Sequence, residues 1–290
     1  MATEIVHTIR ASGGDYTTLS AWEAAQQRDL VAADEIAVAE CYNDWPSGLN
    51  DVVEILGWTT DSTRFVNVRV ADGHKHGGQI DAGFRIISNG GAKGCVYNRT
   101  SYTLLEDLNV ENTFMSSSGH VIYNVQPTTI SRCIAKGNNN SFTGAFTIGS
   151  SNTTCINCLA VNTKRGFRAY IGTAMDSIQL LNCTSANCSE YGFWVHASVP
   201  DITVKNCVSY NAGVTNFSGL YEAASTNNAA SDGSTNTPPG SNPLTVDITS
   251  ADFVDAANGD FRLSAGSQLI DAGTDLSSDF TTDIVGTVRG

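Results

Sequence analysis

Two glycine-led segments, GFRAY (166–170) and GFWVH (192–196), concentrate residues able to do chemistry. With Phe167, Ala169, Phe193 and Val195 turned inward on strands, alternation sends Arg168, Tyr170, Trp194 and His196 outward. One repeat apart, Arg168 then lies beside Trp194 and Tyr170 beside His196, with Tyr221 placed to continue the row. Exposed aromatic rings stack on sugar faces and an arginine bonds sugar hydroxyls, so the row is a candidate carbohydrate contact. Two blander readings compete. Trp, Tyr and Arg are enriched at subunit interfaces, and the C-terminal segment 244–290 could cover the row. For acid–base catalysis, Arg168 and His196 are the one pair on offer, and a weak one.

Other reactive residues have simpler readings. His74 and His76 stand two apart with no third ligand in view, so a solvated loop is expected there rather than a metal site. Cys155 and Cys158 form a CxxC with no second pair, and on one strand their odd spacing would turn them to opposite faces. No metal and no cofactor is expected. The Asp-rich tail reads as a solvated acidic surface rather than a calcium site.

The elements that position these residues are set by a repeat. SRCIAKGN, INCLAVNT, LNCTSANC and KNCVSYNA align on Cys133, Cys158, Cys183 and Cys207, which are 25, 25 and 24 residues apart. Four positions after each cysteine come Gly137, Asn162, Asn187 and Asn211. A glycine column runs through Gly94, Gly119, Gly144, Gly166, Gly192 and Gly219. A period near 25 with short apolar alternations describes one coil of a parallel β-helix, which buries its apolar side only by stacking on its neighbours. The cysteines then form an inward ladder of small side chains, and the asparagines occupy tight left-handed bends. Parallel stacking is poor disulfide geometry, so the eight cysteines are expected to be reduced. A leucine-rich solenoid is disfavoured because its LxxLxL signature is missing.

Composition agrees. Charged residues are only 16% of the 290, and the balance of 16 basic against 29 acidic gives a net charge of −13. No basic stripe suits nucleic acid and no apolar run suits membrane insertion. The opening MATEIVHTIR lacks the pattern of a secretory leader, which leads to the expectation of a protein made in the cytosol.

On these residues the chain resembles the right-handed parallel β-helix proteins of the pectin-lyase-like superfamily. The likeness rests on the coils between about 36 and 221, on GGDYTTLSAWEAAQ, and on NGDFRLSAGSQLIDAGTD followed by DIVGTVRG. The first motif resembles a capping helix with Leu19, Trp22 and Ala25 on one face and Thr18 or Ser20 as N-cap. The second resembles the closing segment of such chains, with Gln268 where proline is common. The resemblance implies an all-β, single-stranded right-handed parallel β-helix solenoid with ~25 residues per coil. Its parts would be an N-terminal strand and capping helix (1–35), the solenoid (36–222), a polar linker (223–243) and an acidic C-terminal cap (244–290).

It also raises a polysaccharide lyase or glycoside hydrolase as an alternative. The polygalacturonase-type DD, GHG and RIK patterns are missing, and the central coils hold few carboxylates. The leading expectation is therefore a non-enzymatic structural component of a phage particle (capsid decoration, head fibre or tail-associated protein). It would be assembled in the host cytoplasm as a homo-oligomer, a trimer by resemblance, in contact with other virion proteins, with host glycan as a further candidate partner. A carbohydrate-binding extracellular adhesin is another alternative.

Overall fold

The computed structural model of the chain describes residues 2–114, 119–137, 144–170, 175–197, 202–231, 238–244 and 247–289. Successive coils lay strands on one another in parallel, forming three sheets. Sheet one has eight strands, from Thr3–Ile9 and Glu35–Cys41 through Thr153–Ile156 to Ile202–Lys205. Sheet two has seven, from Arg85–Ser88 to Ala229–Ala230. Sheet three, which carries the candidate site, has Val53–Ile55, Val96–Asn98, His120–Asn124, Gly144–Ile148, Arg165–Ala169, Tyr191–Val195 and Thr215–Ser218. The architecture is an all-β parallel solenoid of about seven turns with about 25 residues per coil.

Each corner has its own chemistry. Between sheets one and two the chain turns at one left-handed residue: Asp107, Arg132, Asn157, Asn182 or Asn206, with φ between 52° and 60°. The residue after it (Leu108, Cys133, Cys158, Cys183 or Cys207) is at most 1% exposed. The cysteine ladder thus sits on a corner, not on a strand. Each thiol also donates to a carbonyl of the coil before: Leu105 at 3.5 Å, Ile130 at 3.4 Å, Cys155 at 3.4 Å and Leu180 at 3.2 Å. A cysteine is small enough for the corner and still supplies a weak donor. Cys155 and Cys158 are both buried rather than opposed, because the Asn157 bend lies between them and resets the alternation. Beyond sheet two, Asn162, Asn187 and Asn211 take the left-handed bends at φ of 55°, 53° and 55°. The Asn211 amide donates to the Asn187 side-chain oxygen at 2.9 Å.

Inside sheet three, Val53, Val96, Ile122, Phe146, Phe167, Phe193 and Phe217 stand in register. The four phenyl rings stack with centroids 4.9, 4.9 and 4.8 Å apart and planes within 7° of parallel. That spacing is the inter-strand distance itself, and each buried ring contributes about 2 kcal/mol. The N-terminal end is closed by helix α1 (Leu19–Gln26), whose N-cap Thr18 accepts from the Ala21 amide. Leu19 and Trp22 are buried, but Ala25 is exposed. Glu23 is buried in its stead, accepting from the Leu56 amide at 2.9 Å and from Trp58 Nε1 at 3.1 Å.

The C-terminal residues lie along the flank of the solenoid. Ile248, Phe253, Ala256 and Phe261 cover an apolar outer face of sheet two made by Ile134, Leu159, Val161 and Ala186. The tail then runs back beside the asparagine bends. Asn227 donates to the Ala272 carbonyl at 2.9 Å, Asn206 exchanges bonds with Thr274 at 2.9 and 2.8 Å, and Asn157 donates to the Thr282 carbonyl at 2.7 Å. Gly273 is required for this approach, since a Cβ there would stand 2.9 Å from the Asn206 amide nitrogen. Part of 223–243, expected from its composition to be an external loop, is drawn into the stack. Ala229–Ala230 pairs with Val208 and Ser209, and Thr226 bridges both Lys205 and Ser241.

All eight cysteines are buried, and burial raises the thiols of Cys41, Cys95 (to about 12), Cys133, Cys155, Cys158, Cys183 and Cys188, so a thiol reagent should find no reactive cysteine in the native protein and eight after denaturation. A disulfide would show as a deficit in that titration. Asn206→Ala removes both bonds to Thr274 and should cost about 2 kcal/mol in a urea melt, with protease sensitivity appearing first in the tail.

Candidate functional site on the outer face of sheet three

The outward column of sheet three runs Glu54, Tyr97, Tyr123, Thr147, Arg168, Trp194 and Ser218 in register. Tyr97 and Tyr123 stack at 4.9 Å, and the His120 ring lies 4.5 Å from Tyr123. Beyond the strand ends, Tyr170 stands 5.9 Å from Trp194 and 5.3 Å from His196. The structure thus brings Arg168, Tyr170, Trp194 and His196 together and extends the strip through Tyr123 and Tyr97, which the repeat alone does not single out. Their signal lies in GCVYN and GHVIYN, but a one-residue slip hides it. Gly94 and Gly144 share a column with His120, whereas Gly166 and Gly192 occupy the next one. The glycines also serve different ends. A Cβ at Gly166 or Gly192 would collide with Ser185 or Ser209 on the strands of sheet two.

Tyr221 does not continue the row. Its ring packs edge-on against Phe217 at 6.2 Å, and its hydroxyl donates to the carbonyls of Phe193 and Ser218. The phenylalanine stack needs a lid where sheet three ends, and the left-handed Gly219 (φ 114°) turns the chain so that Tyr221 supplies it. The tail packs against sheet two rather than over this row.

Arg168 is the electrostatic centre of the strip. It is 9% exposed, its guanidinium carbon lies 4.1 Å from the Tyr170 centroid and 5.6 Å from that of Trp194, and its Nε has no hydrogen-bond partner among the described residues. Burial lowers its pKa first and the charge of Arg165 lowers it further, while Tyr170 and Tyr123 oppose them; among the described residues no carboxylate acts on it. Taking a guanidinium from water costs several kcal/mol, and a desolvated cation–π contact returns about 2 kcal/mol. The contacts present therefore leave part of that cost unmet. Arg165 differs: it lies 4.5 Å over Trp194 and bonds Glu190 at 3.1 Å. His120 bonds the Thr147 hydroxyl at 2.8 Å through Nδ1, and burial followed by the Arg168 charge pushes its pKa down to about 4.

The outer face of sheet one forms a contrasting cleft lined by Glu40, Arg69, Asp72, Lys75, Glu106, Asp107 and Arg132. Every acid in it already has a cation: Glu40 with Arg69 at 3.2 Å, Asp72 with Lys75 at 3.0 Å, and Glu106 and Asp107 with Arg132 at 3.0 and 2.7 Å. These carboxylates are therefore already engaged by cations within the cleft. Beside the cleft, His76 is not solvated as expected. It is 2% exposed, with Nε2 bonded to the Arg132 carbonyl at 2.7 Å and Nδ1 accepting from the Gly78 amide at 2.9 Å. Among the described residues no group of three His, Cys, Asp or Glu is placed to hold a metal. Among them, too, no helix is long and apolar enough to cross a membrane.

No protein-family model, curated sequence or solved structure matches the chain.

His120 makes stability pH-dependent in a definite sense. Its folded pKa of about 4 lies below the unfolded value of about 6.5, so the unfolded chain binds more protons between them. The stabilisation is complete above about pH 6.5 and is lost as pH falls towards 4, by on the order of 3 kcal/mol. Urea midpoints at neutral pH and at pH 4 should differ less for His120→Gln than for the native chain. Equal differences would place the acid sensitivity elsewhere.

Proposed function

We propose that this chain is a non-catalytic binding scaffold whose sheet-three strip contacts carbohydrate, in the setting of a homo-oligomeric structural protein of a phage particle. The observation that carries the glycan reading is the register of the strip. Tyr97, Tyr123, Arg168 and Trp194 are held in one column along the solenoid axis, with Tyr170 and His196 beside them. Rigid strands fix these rings before any ligand arrives, so little conformational entropy is lost on binding. An extended polysaccharide laid along the axis would meet the edges of the stacked Tyr97 and Tyr123 rings, then the guanidinium and the Tyr170 and Trp194 rings. The phage setting draws support from eight buried free thiols, which suit folding in a reducing compartment. The fully paired acids of the sheet-one cleft favour binding over hydrolysis.

The test is a panel of neutral and acidic polysaccharides, scored in parallel for binding and for new reducing ends or unsaturated uronates. Saturable binding without turnover is expected. The double variant Tyr170→Ala/Trp194→Ala should weaken it at least about tenfold, a loss of about 1.4 kcal/mol, with the melting temperature little changed. Turnover, or binding indifferent to that variant, would overturn the reading.

A further inference from the structure

The strip has one feature that neutral sugar binding does not need: a cation with its charge unanswered. Surface cations elsewhere along sheet three are engaged by carboxylates, two cations to each acid. Glu54 takes Arg99 at 2.8 Å and Lys93 at 3.6 Å, and Glu190 takes Lys164 at 2.9 Å and Arg165 at 3.1 Å. Arg168, on the same strand as Arg165, has no such partner among the described residues, although it is the more deeply buried. The groups around it are rings and a hydroxyl: Tyr123, Thr147, Tyr170, Trp194 and the neutral His120.

We propose that Arg168 is an anion-binding centre and that the strip takes a sugar bearing a carboxylate or sulfate group. This rests on the glycan reading above and narrows it to an acidic ligand class. The guanidinium presents planar paired donors that match an oxyanion in a way hydroxyls do not, and the surrounding low-polarity rings strengthen that bond. Tyr170, which is 42% exposed, and half-buried Trp194 flank the guanidinium, so the ring of the same sugar can lie on them while its charged substituent reaches inward. Among the described residues no acid acts on Arg168, so the net charge of −13 on the whole chain is not concentrated beside the guanidinium. Arg165 adds a second positive field from the same strand.

The experiment titrates the intact protein with lactose, sialyllactose, sulfated lactose and hyaluronan oligosaccharides, read by calorimetry and by Trp194 fluorescence. Acidic probes should bind at least about tenfold more tightly than lactose. Arg168→Gln should abolish that advantage, lowering the affinity for the acidic probes by at least about tenfold more than the affinity for lactose. Arg168→Lys keeps the charge without the planar fork and should retain only part of the advantage. It carries the comparison if the Gln variant melts early. Tighter binding of sialyllactose and hyaluronan than of sulfated lactose would assign the site to carboxylates, and the reverse order to sulfates. Equal binding of neutral and acidic probes, unmoved by either variant, overturns the anion site while leaving a glycan scaffold standing. Failure of every probe, lactose included, overturns both.

Discussion

The parallel backbone pairing of one coil on the next governs everything else in this protein. Because strands pair in register, each side chain sits directly over its counterpart one coil away. Inside, this turns four phenylalanines into a continuous stack. At the corners it repeats one backbone conformation, which asparagine adopts at small cost. Outside, it gathers residues from successive coils into a single column, the only way so short a strand can build an extended contact surface.

The two open faces show how differently that constraint can be used. On sheet one the acids are engaged by cations: Arg69 pairs with Glu40 one coil away, and Arg132 holds Glu106 and Asp107. The result is a surface whose carboxylates are screened by neighbouring bases. On sheet three, rings replace the acids, and Arg168 is left among them without a counter-charge among the described residues. A chain that is acidic overall thus carries a local positive centre where its aromatic residues are densest.

Much of this fold is legible in the amino-acid sequence, and the reason is the repeat. The cysteine spacing reports the coil length, and Phe167/Phe193 against Arg168/Trp194 reports which face each strand buries. What the sequence conceals has a physical cause in each case. Alternation fails across a left-handed bend, so strand periodicity misplaces Cys158 relative to Cys155. A one-residue register slip at Gly144 splits the glycine column and conceals the place of Tyr97 and Tyr123 in the strip. Tyr221 turns inward because the end of a stack has needs that its middle does not. Burial of His76 and Glu23 depends on polar partners that no periodicity announces.

The tail changes the mechanics of the whole rod. A bare solenoid is a row of nearest-neighbour contacts and can fray one coil at a time from its open end. Here the carbonyls of Ala272, Thr274 and Thr282 are bonded to Asn227, Asn206 and Asn157 on three different coils, the last across 125 positions of chain. Peeling the terminal coil therefore means first stripping a fastening that also grips coils nearer the middle. Force or heat applied at that end is shared along the length, and unfolding becomes a single collective event rather than an unravelling.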